Sequence, residues 1–450
     1  MRNLNLGEMA SLATTLAVGG RFLRKTPWLS REQMREWQFA RIQLLVTHAV
    51  THIPFYRERY AEVGFCLGDL KTWDDFHRLP VITKDEVIAN FPQRMLRTGY
   101  DLEKLVVSRS SGSSGKALDI CYDSQAMITF SLAGLRLYRM GFPYRPWHRQ
   151  LYIYTSPYPF GSLFGCYPMH FVPTLAPIPE IAAAVERVRP HLLVAYPSHL
   201  RQIAPTLSAT ARSRLQCVSV NSEMSTQAER NHLTTVLGCP VLDEYSSEEL
   251  TRIAAQCRHG TYHLFEDINL IETLDSQGQP TTDRGVIVGT NLHNLAMPMI
   301  RYVQNDLGRI VEGSCSCGWQ FRHLVDLQGR KNDSFLMPSG QEISSGFLLD
   351  ATYDILLEWR TQVRDFCLIQ EARDQILLQV VPGDGWDENL GERIRTRMQH
   401  HFEAGVTVTL LPVEACEKTK TGKRNPIIRR AAVTTGANGP GVEITASRHP

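Results

Sequence analysis

The pattern of hydrophobic and polar positions predicts a long helix near the start of the chain. Ser30 to Gln33 read as a capping box, in which two side chains satisfy free amides at a helix start. Four hydrophobic residues follow at spacings that can share one helix face: Met34, Trp37, Leu44 and Leu45. The helix should end near Ile53, because Pro54 restricts the backbone of the residue before it.

Further along the chain, short apolar segments alternate with helical patterns. Thr83 to Glu86 form a second predicted capping box, and residues 105–107 read as a strand that leads into a Ser/Gly-rich loop. Other apolar runs read as strands, and one amphipathic run as a helix: 192–195, 218–220, 241–242, 285–290 and 307–311, with the helix at about 181–189. This alternation predicts an α/β fold built from layers of sheets and helices.

The character of the sequence changes after Gly329. Three predicted strands and one charged helix follow, which together predict a compact α+β module: 366–370, 375–381, 386–402 (the helix) and 406–413. We therefore expect a large layered N-terminal domain at residues 1–327 and a small mobile C-terminal α+β domain at 328–433. Residues 434–450 are rich in Gly, Thr, Ser and Pro, and we expect a disordered tail there.

Composition adds to this picture mainly by excluding partners. The 450 residues are 43% hydrophobic and 21% charged, as in a typical globular protein, and the formal net charge is +2. That charge gives no electrostatic reason to expect a nucleic acid, and no apolar run approaches the roughly 20 residues of a membrane span. The ten cysteines are scattered, which favours the reducing cytoplasm, and Cys121 and Cys166 read as core residues.

The loop from Ser108 to Lys116 carries the first candidate chemistry. Gly112 and Gly115 permit the dihedral angles of a turn that cradles phosphate, and Lys116 adds a positive charge. Hydroxyl donors come from four serines: Ser110, Ser111, Ser113 and Ser114. The glycine spacing does not fit a Walker loop, and a hydrolase elbow would need glycine in place of Lys116. By itself, the segment is also compatible with a flexible Ser/Gly loop.

Three cysteines and one histidine have a spacing suited to a tetrahedral zinc ion. They are Cys257, His263, Cys315 and Cys317, and His259 competes for the histidine position. Because the protein would supply all four ligands, such a metal would be structural rather than catalytic. The alternative is a group of reduced side chains without a metal.

A set of motifs extends over nearly the whole chain, from about residue 35 to residue 430. These motifs lie at residues 51–60, 73–76, 79–84, 196–198, 245–249, 301–306, 329–333 and 421–423. In this order and spacing, they resemble the adenylate-forming superfamily. More narrowly, the chain resembles its phenylacetate–CoA ligase, coenzyme F390 synthetase and capsule-biosynthesis CapK branch.

The resemblance implies which residues bind the nucleotide. Residues 110–116 match the phosphate loop, and Tyr245 matches the tyrosine that packs beside adenine. Asp306 matches the aspartate that grips the ribose hydroxyls, and Arg330 matches the hinge arginine beside the nucleotide. Glu223 matches a glutamate that glycines often precede in this family, whereas Asn221 and Ser222 precede it here.

The resemblance also implies two catalytic residues, Glu249 as a ligand of Mg²⁺ and Lys423 as the lysine that stabilises the adenylation transition state. Negative charge develops on phosphate oxygens when a carboxylate attacks the α-phosphate, so donors, a divalent metal and a cation all suit the reaction. A carboxylate suits the hard Mg²⁺ ion. A lysine on a separate small domain can arrive for one half-reaction and leave for the next. Without the resemblance, Lys423 reads as part of a solvated basic stretch, residues 418–430.

The chain departs from the family pattern at several motif positions. The substituted residues stand where glycine, arginine, aspartate or a hydroxyl residue is usual: Ser246, Glu248, Val303, Asn305 and Asn332. Glu248 competes with Glu249 for the metal. Despite these departures, we expect adenylate formation. The departures bear mainly on the second half-reaction, in which CoA would be the acceptor.

The resemblance implies an ATP- and Mg²⁺-dependent ligase that activates a carboxylic acid as acyl-AMP. The dense aromatic stretch at 151–172 reads as core strands or, in part, as the wall of a pocket for an apolar or aromatic acid. CoA or a carrier-protein phosphopantetheine would accept the acyl group, and relatives with a structural Zn²⁺ share the cysteine pattern. The alternatives are transfer to an amine or hydroxyl, transfer of AMP to a cofactor, and a non-catalytic nucleotide-binding protein. We expect a monomer or homodimer.

Overall fold

The structure is a computed structural model that describes residues 19–99, 101–109, 117–155, 162, 165–329, 333–418 and 422–430. These residues form two compact units. Unit 1 runs up to Gly141 and again from Glu244 to Asp326, and unit 2 runs from Phe142 to Asp243 and again from Leu327. The domain limits at 327 and 433 remain predictions, and the predicted tail at 434–450 lies outside the described residues.

The α-helices of the described residues are mostly short. Their bounds are Arg31–His52, Pro54–Glu62, Trp73–His77, Lys84–Asn90, Ser124–Gly141, Ile178–Val188, Pro197–Ile203, Ala209–Arg212, Gln227–Leu237, Ser345–Leu357 and Glu388–Gln399. Three 3₁₀ turns accompany them: Thr26–Trp28, Leu102–Lys104 and Ala204–Thr206.

The strands are numbered in chain order. They are β1 Val106–Arg109, β2 Asp119–Tyr122, β3 Gln150–Tyr154, β4 Met169–Pro173, β5 Leu192–Ala195, β6 Cys217–Asn221, β7 Val241–Ser247, β8 Thr251–Gln256, β9 Tyr262–Leu264, β10 Asn269–Leu274, β11 Gly285–Asn291, β12 Tyr302–Val311, β13 His323–Val325, β14 Phe335–Leu336, β15 Glu342–Ile343, β16 Val363–Ala372, β17 Gln375–Pro382, β18 Thr407–Pro412 and β19 Ile427–Arg429.

The first long helix of unit 1 begins and ends where the sequence predicts. Ser30 and Gln33 form the reciprocal capping box, and the Arg31–His52 helix stops before Ile53. The predicted apolar face is wrong at Leu44, which is 64% exposed. The buried face instead includes Gln38, whose amide donates to the main-chain oxygen of Glu266 at 2.7 Å, so a satisfied polar group replaces an apolar one.

Unit 1 contains an antiparallel sheet in the order β10–β11–β12–β13–β9–β8–β7. Buried charge pairs connect this sheet to the helices of the unit. Arg136 of the Ser124–Gly141 helix pairs with Asp267, and Arg31 and Arg322 both contact Glu266 at 2.7 Å. The ring of Phe265 lies under the Arg136 guanidinium, 4.7 Å from its carbon. Because Asp267 and Glu266 are paired with arginines, these two buried carboxylates can lie in the core without an uncompensated charge.

Unit 2 begins with a parallel sheet in the order β6–β5–β3–β4. Every residue of β5 and β6 is buried, as expected when helices cover both faces of a parallel sheet. The Ile178–Val188 helix connects β4 to β5, and its apolar face packs into the same core as Leu193 and Val218. The predicted α/β layers are therefore present.

The later part of unit 2 is a four-stranded sheet in the order β18–β17–β16–β19. The predicted strands β16 and β17 and the Glu388–Gln399 helix are confirmed, although the helix is shorter than the predicted 386–402. The prediction that residues 406–413 form the last strand is wrong, since β19 pairs parallel to β16 after it. The Ser345–Leu357 helix is also absent from the predictions, and its Leu348, Leu349 and Leu356 enter the core.

The cysteines of the described residues are all reduced. Cys121 is buried, as predicted, but Cys166 is exposed, so that prediction is wrong. In the part of the chain that the structure describes, no helix has the length and apolarity needed to cross a membrane.

Candidate active site

In unit 2, the predicted site residues lie beyond the carboxyl ends of the parallel strands. Tyr196 follows β5, and Glu223 comes two residues after β6. The end of β3 is joined to the end of β4, because the Thr174 N–H donates to the Tyr154 oxygen at 2.9 Å. This edge is where ligands bind in open α/β sheets.

The loop after β6 explains one departure from the family pattern. Ser222, which stands where the family often has glycine, adopts a left-handed conformation with φ of 67°. Glycine takes this conformation at no steric cost, whereas serine pays a modest strain for it. The loop shape is therefore retained without glycine, and Glu223 follows directly.

The Glu223 side chain is half-buried, and both oxygens of its carboxylate accept hydrogen bonds. The Ser198 hydroxyl donates to its Oε1 at 3.0 Å, and the Ser198 N–H donates to its Oε2 at 3.1 Å. The main-chain N–H of Arg424 donates to Oε1 at 2.6 Å. Burial raises the pKa of Glu223 above its usual value, while Arg424 and Arg201 act in the opposite direction.

The segment that carries Lys423, residues 422–424, is here called the lysine segment. Gly422 has φ of 79°, and a Cβ placed on it would lie 3.0 Å from Leu175, so this turn requires glycine. The Lys423 ammonium lies 5.9 Å from the centre of the Tyr196 ring, at the end of β5. The structure therefore brings Lys423 to the strand edge that also carries Glu223.

The segment before Arg330 lies beside the same loop. A Cβ on Gly329 would meet the Met224 sulfur at 2.8 Å, and Met224 is the neighbour of Glu223. Arg330 itself lies outside the described residues.

In unit 1, the structure brings together two of the predicted nucleotide residues. The Tyr245 hydroxyl donates to Asp306 Oδ2 at 2.6 Å. Asn305, which replaces a usual glycine, has φ of 63°, a left-handed conformation that asparagine tolerates better than most residues. The backbone at Asn305 therefore keeps the conformation that the usual glycine would adopt, and Asp306 follows it on β12.

Glu248 and Glu249 lie in the turn between β7 and β8, and they have different surroundings. Glu249 is buried, and the Tyr302 hydroxyl donates to its Oε1 at 3.0 Å. Glu248 accepts a hydrogen bond from the Ser108 hydroxyl, and its main-chain oxygen accepts one from Tyr122. The Tyr302 hydroxyl is a neutral donor and occupies one carboxylate oxygen, so the Glu249 carboxylate is suited to a hard cation such as Mg²⁺.

Ser108 also locates the start of the predicted phosphate loop. It lies on β1, which pairs with β2 in a two-stranded antiparallel sheet, with Ser108 opposite Ile120. The loop residues Ser110 to Lys116 lie outside the described residues. The bond from Ser108 to Glu248 connects the strand that leads into the loop to the β7–β8 turn.

The four predicted zinc ligands converge within unit 1. The ligand atoms of Cys257, His263, Cys315 and Cys317 all lie within 4.8 Å of one another. The sulfurs of Cys257 and Cys315 are 3.6 Å apart, and Cys317 Sγ lies 3.2 Å from His263 Nε2. Ligands of a tetrahedral zinc ion lie about 3.3–3.8 Å apart, as follows from metal–ligand bonds of about 2.0–2.3 Å.

The chemistry of these residues also fits zinc. Burial, with His323 nearby, lowers the pKa of His263 to about 4, so the imidazole is in the neutral form that binds metal. The competing histidine, His259, is exposed and is not in the group. The residues present therefore fit a structural zinc ion.

Other residues, to which sequence analysis assigned no role, hold the predicted site residues in place. Ser198 holds Glu223, Tyr302 holds Glu249, and Arg424 connects Glu223 to the lysine segment. Ser198 and Tyr302 lie inside the motifs at 196–198 and 301–306, so the motifs signalled them without giving a role. The main-chain donor of Arg424 has no sequence signal.

No protein-family model matches the sequence. The chain is similar to the phenylacetate-coenzyme A ligase of Thermus thermophilus, with 24% identity over 448 residues that cover 89% of this chain and 97% of the relative. It is also similar to the Escherichia coli enzyme of that name, with 24% identity covering 68% of this chain and 74% of the relative.

Among solved structures, the chain is similar to 2-hydroxyisobutyryl-CoA ligase in complex with an acyl-AMP, with a TM-score of 0.75 and 20% identity over 91% of this chain and 92% of that one. A benzoate CoA ligase from Burkholderia xenovorans gives a TM-score of 0.51 and 14% identity, over 73% and 68% of the two chains.

The fold is that of the adenylate-forming ligases. Within that class, the sequence resembles the phenylacetate–CoA ligase branch, which confirms the resemblance inferred from the motifs.

We expect protein purified without chelator to contain about one zinc ion per chain, and Cys315→Ser to lower both zinc content and melting temperature. A metal that joins residues 257–263 to 315–317 would contribute directly to folding free energy. Elemental analysis and thermal melting check this, with Cys66→Ser, an exposed cysteine outside the group, as the control. Metal-free protein with unchanged stability would leave these residues as ordinary reduced side chains.

Proposed function

We propose that the protein activates a carboxylic acid with ATP to form acyl-AMP and pyrophosphate, and then transfers the acyl group to CoA. The named relatives, phenylacetate-coenzyme A ligases, support both the reaction and a carboxylic acid as its substrate. Further support comes from the solved 2-hydroxyisobutyryl-CoA ligase, whose structures contain an acyl-AMP and CoA.

One observation supports the proposal most: the lysine segment is joined to the loop after β6 by the bond from Arg424 N–H to Glu223. Residues 223 and 424 are far apart in sequence, and the contact holds the residue after Lys423 beside the strand edge. This supports a role for Lys423 in the reaction over the interpretation of residues 418–430 as a solvated basic stretch.

In the first half-reaction, each proposed residue has a separate task. Lys423 stabilises the charge that develops on the α-phosphate as the carboxylate attacks. Asp306 and Tyr245 orient the nucleoside, and the loop at 110–116 donates to the phosphates. Mg²⁺ held by Glu249 would neutralise charge on the phosphate oxygens.

Aromatic side chains beside Lys423 support an apolar or aromatic acid. Tyr152 and Tyr154 lie on the same face of β3, with ring centres 4.8 Å apart. The Tyr154 ring meets the edge of the Tyr196 ring at 5.9 Å, and Tyr196 lies under Lys423. An acid with an apolar body would rest on Tyr152 and Tyr154, since Tyr196 is itself fully buried, with its carboxylate toward the lysine.

CoA is the acceptor we propose, with a carrier-protein phosphopantetheine as the alternative of the same thiol chemistry. A structural zinc ion and Mg²⁺ complete the proposed cofactors. We also propose a cytoplasmic location, because all ten cysteines are reduced and unpaired.

The proposal is tested by screening carboxylic acids for acid-dependent exchange of pyrophosphate into ATP, with Lys423→Ala as the matched variant. We expect exchange with an apolar or aromatic acid, and a loss of about 10²–10³ in rate for the variant, which corresponds to about 3 kcal/mol of transition-state stabilisation. The variant should still fold and bind ATP, because Gly422 and Arg424 hold the segment. Adding CoA to the active acids then tests for the thioester.

Three outcomes would contradict parts of this proposal. Binding of ATP without exchange for any acid would indicate a non-catalytic nucleotide-binding protein. Exchange at the wild-type rate in the Lys423→Ala variant would remove Lys423 from the site. Exchange without CoA thioester would redirect the second half-reaction to another acceptor.

We further expect Glu249→Gln to raise the Mg²⁺ concentration required for half-maximal exchange more than Glu248→Gln does. The Glu248 side chain accepts a hydrogen bond from Ser108, on the strand that leads into the phosphate loop, whereas Glu249 stands at the family's metal-binding spacing and accepts one from Tyr302. Titrating Mg²⁺ at saturating ATP for both variants measures the difference. A larger metal defect in the Glu248 variant would assign the metal to the other carboxylate.

A further inference from the structure

Asp365, on β16 of unit 2, lies between two arginines and was not singled out by any motif. Its Oδ1 is 2.9 Å from Arg424 Nε and 3.6 Å from Arg201 Nη2. Arg201 is itself paired with the buried Glu229 at 2.7 Å. The Asp365 carboxylate therefore bridges the Pro197–Ile203 helix and the lysine segment.

Arg424 is held at both its side chain and its main chain. The side chain is 2% exposed, and its guanidinium carbon lies 4.5 Å from the centre of the Phe366 ring. One of its nitrogens donates to the Phe366 oxygen. Its main-chain N–H donates to Glu223, as described above. Two sets of contacts, one to the side chain and one to the main chain, therefore hold Arg424, the residue that follows Lys423.

These contacts leave Lys423 little freedom in its main chain. Gly422, in front of it, is packed on Leu175 and Thr174 in a left-handed turn. Arg424, behind it, is fixed by Asp365, Phe366 and Glu223. The main chain of Lys423 is therefore held on both sides, so the reach of its side chain is set by the position of these neighbours. A displacement of about 1 Å in such an arrangement can cost on the order of 100-fold in rate.

We propose that Asp365 is a positioning residue for Lys423 and acts through Arg424. This inference rests on the proposed function, because it gives Asp365 a role only if Lys423 stabilises the adenylation transition state. Asp365 has no role in substrate contact. Its negative charge holds the Arg424 guanidinium on Phe366, and that side chain holds the lysine segment at Glu223.

The charges around Asp365 explain why an uncharged residue at this position would not hold Arg424. Two buried guanidinium groups, those of Arg201 and Arg424, face the carboxylates of Asp365, Glu229 and Glu223. Glu229 can still compensate Arg201 if Asp365 is neutral. Arg424 would then keep no side-chain carboxylate among the ion pairs of the described residues, and a buried charge without its partner moves or becomes costly.

The test compares Asp365→Asn with Asp374→Asn, which makes the same chemical change at an exposed position in the β16–β17 turn. We expect Asp365→Asn to lower kcat for pyrophosphate exchange by about 10- to 100-fold. The KM for ATP should stay within about twofold, because Asp365 does not bind the nucleotide. Asp374→Asn should match the wild type in both parameters.

A second assay separates positioning from a general structural defect. Wild type and variants are supplied with chemically prepared acyl-adenylate and CoA, and thioester formation is followed. We expect Asp365→Asn to form thioester at the wild-type rate per folded molecule, since Lys423 serves only the first half-reaction. An equal loss in both assays would overturn the proposal and leave Asp365 as a structural residue.

Arg424→Lys is the second variant, for the case that Asp365→Asn does not fold. It keeps the charge opposite Asp365 but loses the planar group that stacks on Phe366 and donates to its oxygen. We expect the same selective loss of exchange, by about 3- to 30-fold, with thioester formation retained. Full exchange activity in either folded variant would overturn the proposal.

The outcomes also separate this proposal from the proposed function. If the wild type exchanges pyrophosphate with no acid, or if Lys423→Ala keeps full exchange, the proposed function fails first. If Lys423→Ala is inactive and Asp365→Asn is fully active, only the positioning role of Asp365 fails.

Discussion

The arrangement of the candidate site in unit 2 depends on one half-buried carboxylate, that of Glu223. It accepts hydrogen bonds from the hydroxyl and the main chain of Ser198 and from the main chain of Arg424. Removing a carboxylate from water is costly unless its oxygens are satisfied, so these donors stabilise the loop after β6. The same requirement brings Lys423 to the ends of the parallel strands. Glu223, which the resemblance assigns to nucleotide binding, therefore also holds the lysine segment.

In unit 1, tyrosine hydroxyl groups rather than main-chain amides hold the acidic side chains. The hydroxyls of Tyr245 and Tyr302 donate to Asp306 and Glu249, so a neutral donor orients each acidic group. That leaves the carboxylates able to meet hydroxyls or a cation of a ligand. The cysteine and histidine group lies in the same unit, where a zinc ion would tie the β8–β9 hairpin to the segment before β13.

The sequence predicted regular elements well where local physical chemistry decides them. Both capping boxes and the buried strands β5 and β6 rest on short-range rules, and they are present as predicted. The Ser345–Leu357 helix was missed because it is apolar on most sides and shows no clear period. Leu44 was misplaced because burial of Gln38 is decided by a carbonyl more than two hundred residues away.

The candidate site was predictable in its residue types but not in its connections. Left-handed conformations at Ser222 and Asn305 retain backbone shapes that the sequence appeared to have lost with its glycines. Motif spacing identified Glu223 and Lys423 separately. Their connection runs through a main-chain N–H of Arg424, and every residue except proline has such a donor, so no sequence pattern marks it.

The central claim is that the carboxylate of the acid attacks the α-phosphate of ATP. The most direct test is to supply an active acid labelled with ¹⁸O in its carboxylate, together with ATP and CoA, and to analyse the products by mass spectrometry. Attack at the α-phosphate predicts one ¹⁸O atom in AMP and none in pyrophosphate. Label in inorganic phosphate with formation of ADP would mean attack at the γ-phosphate, and it would contradict the account.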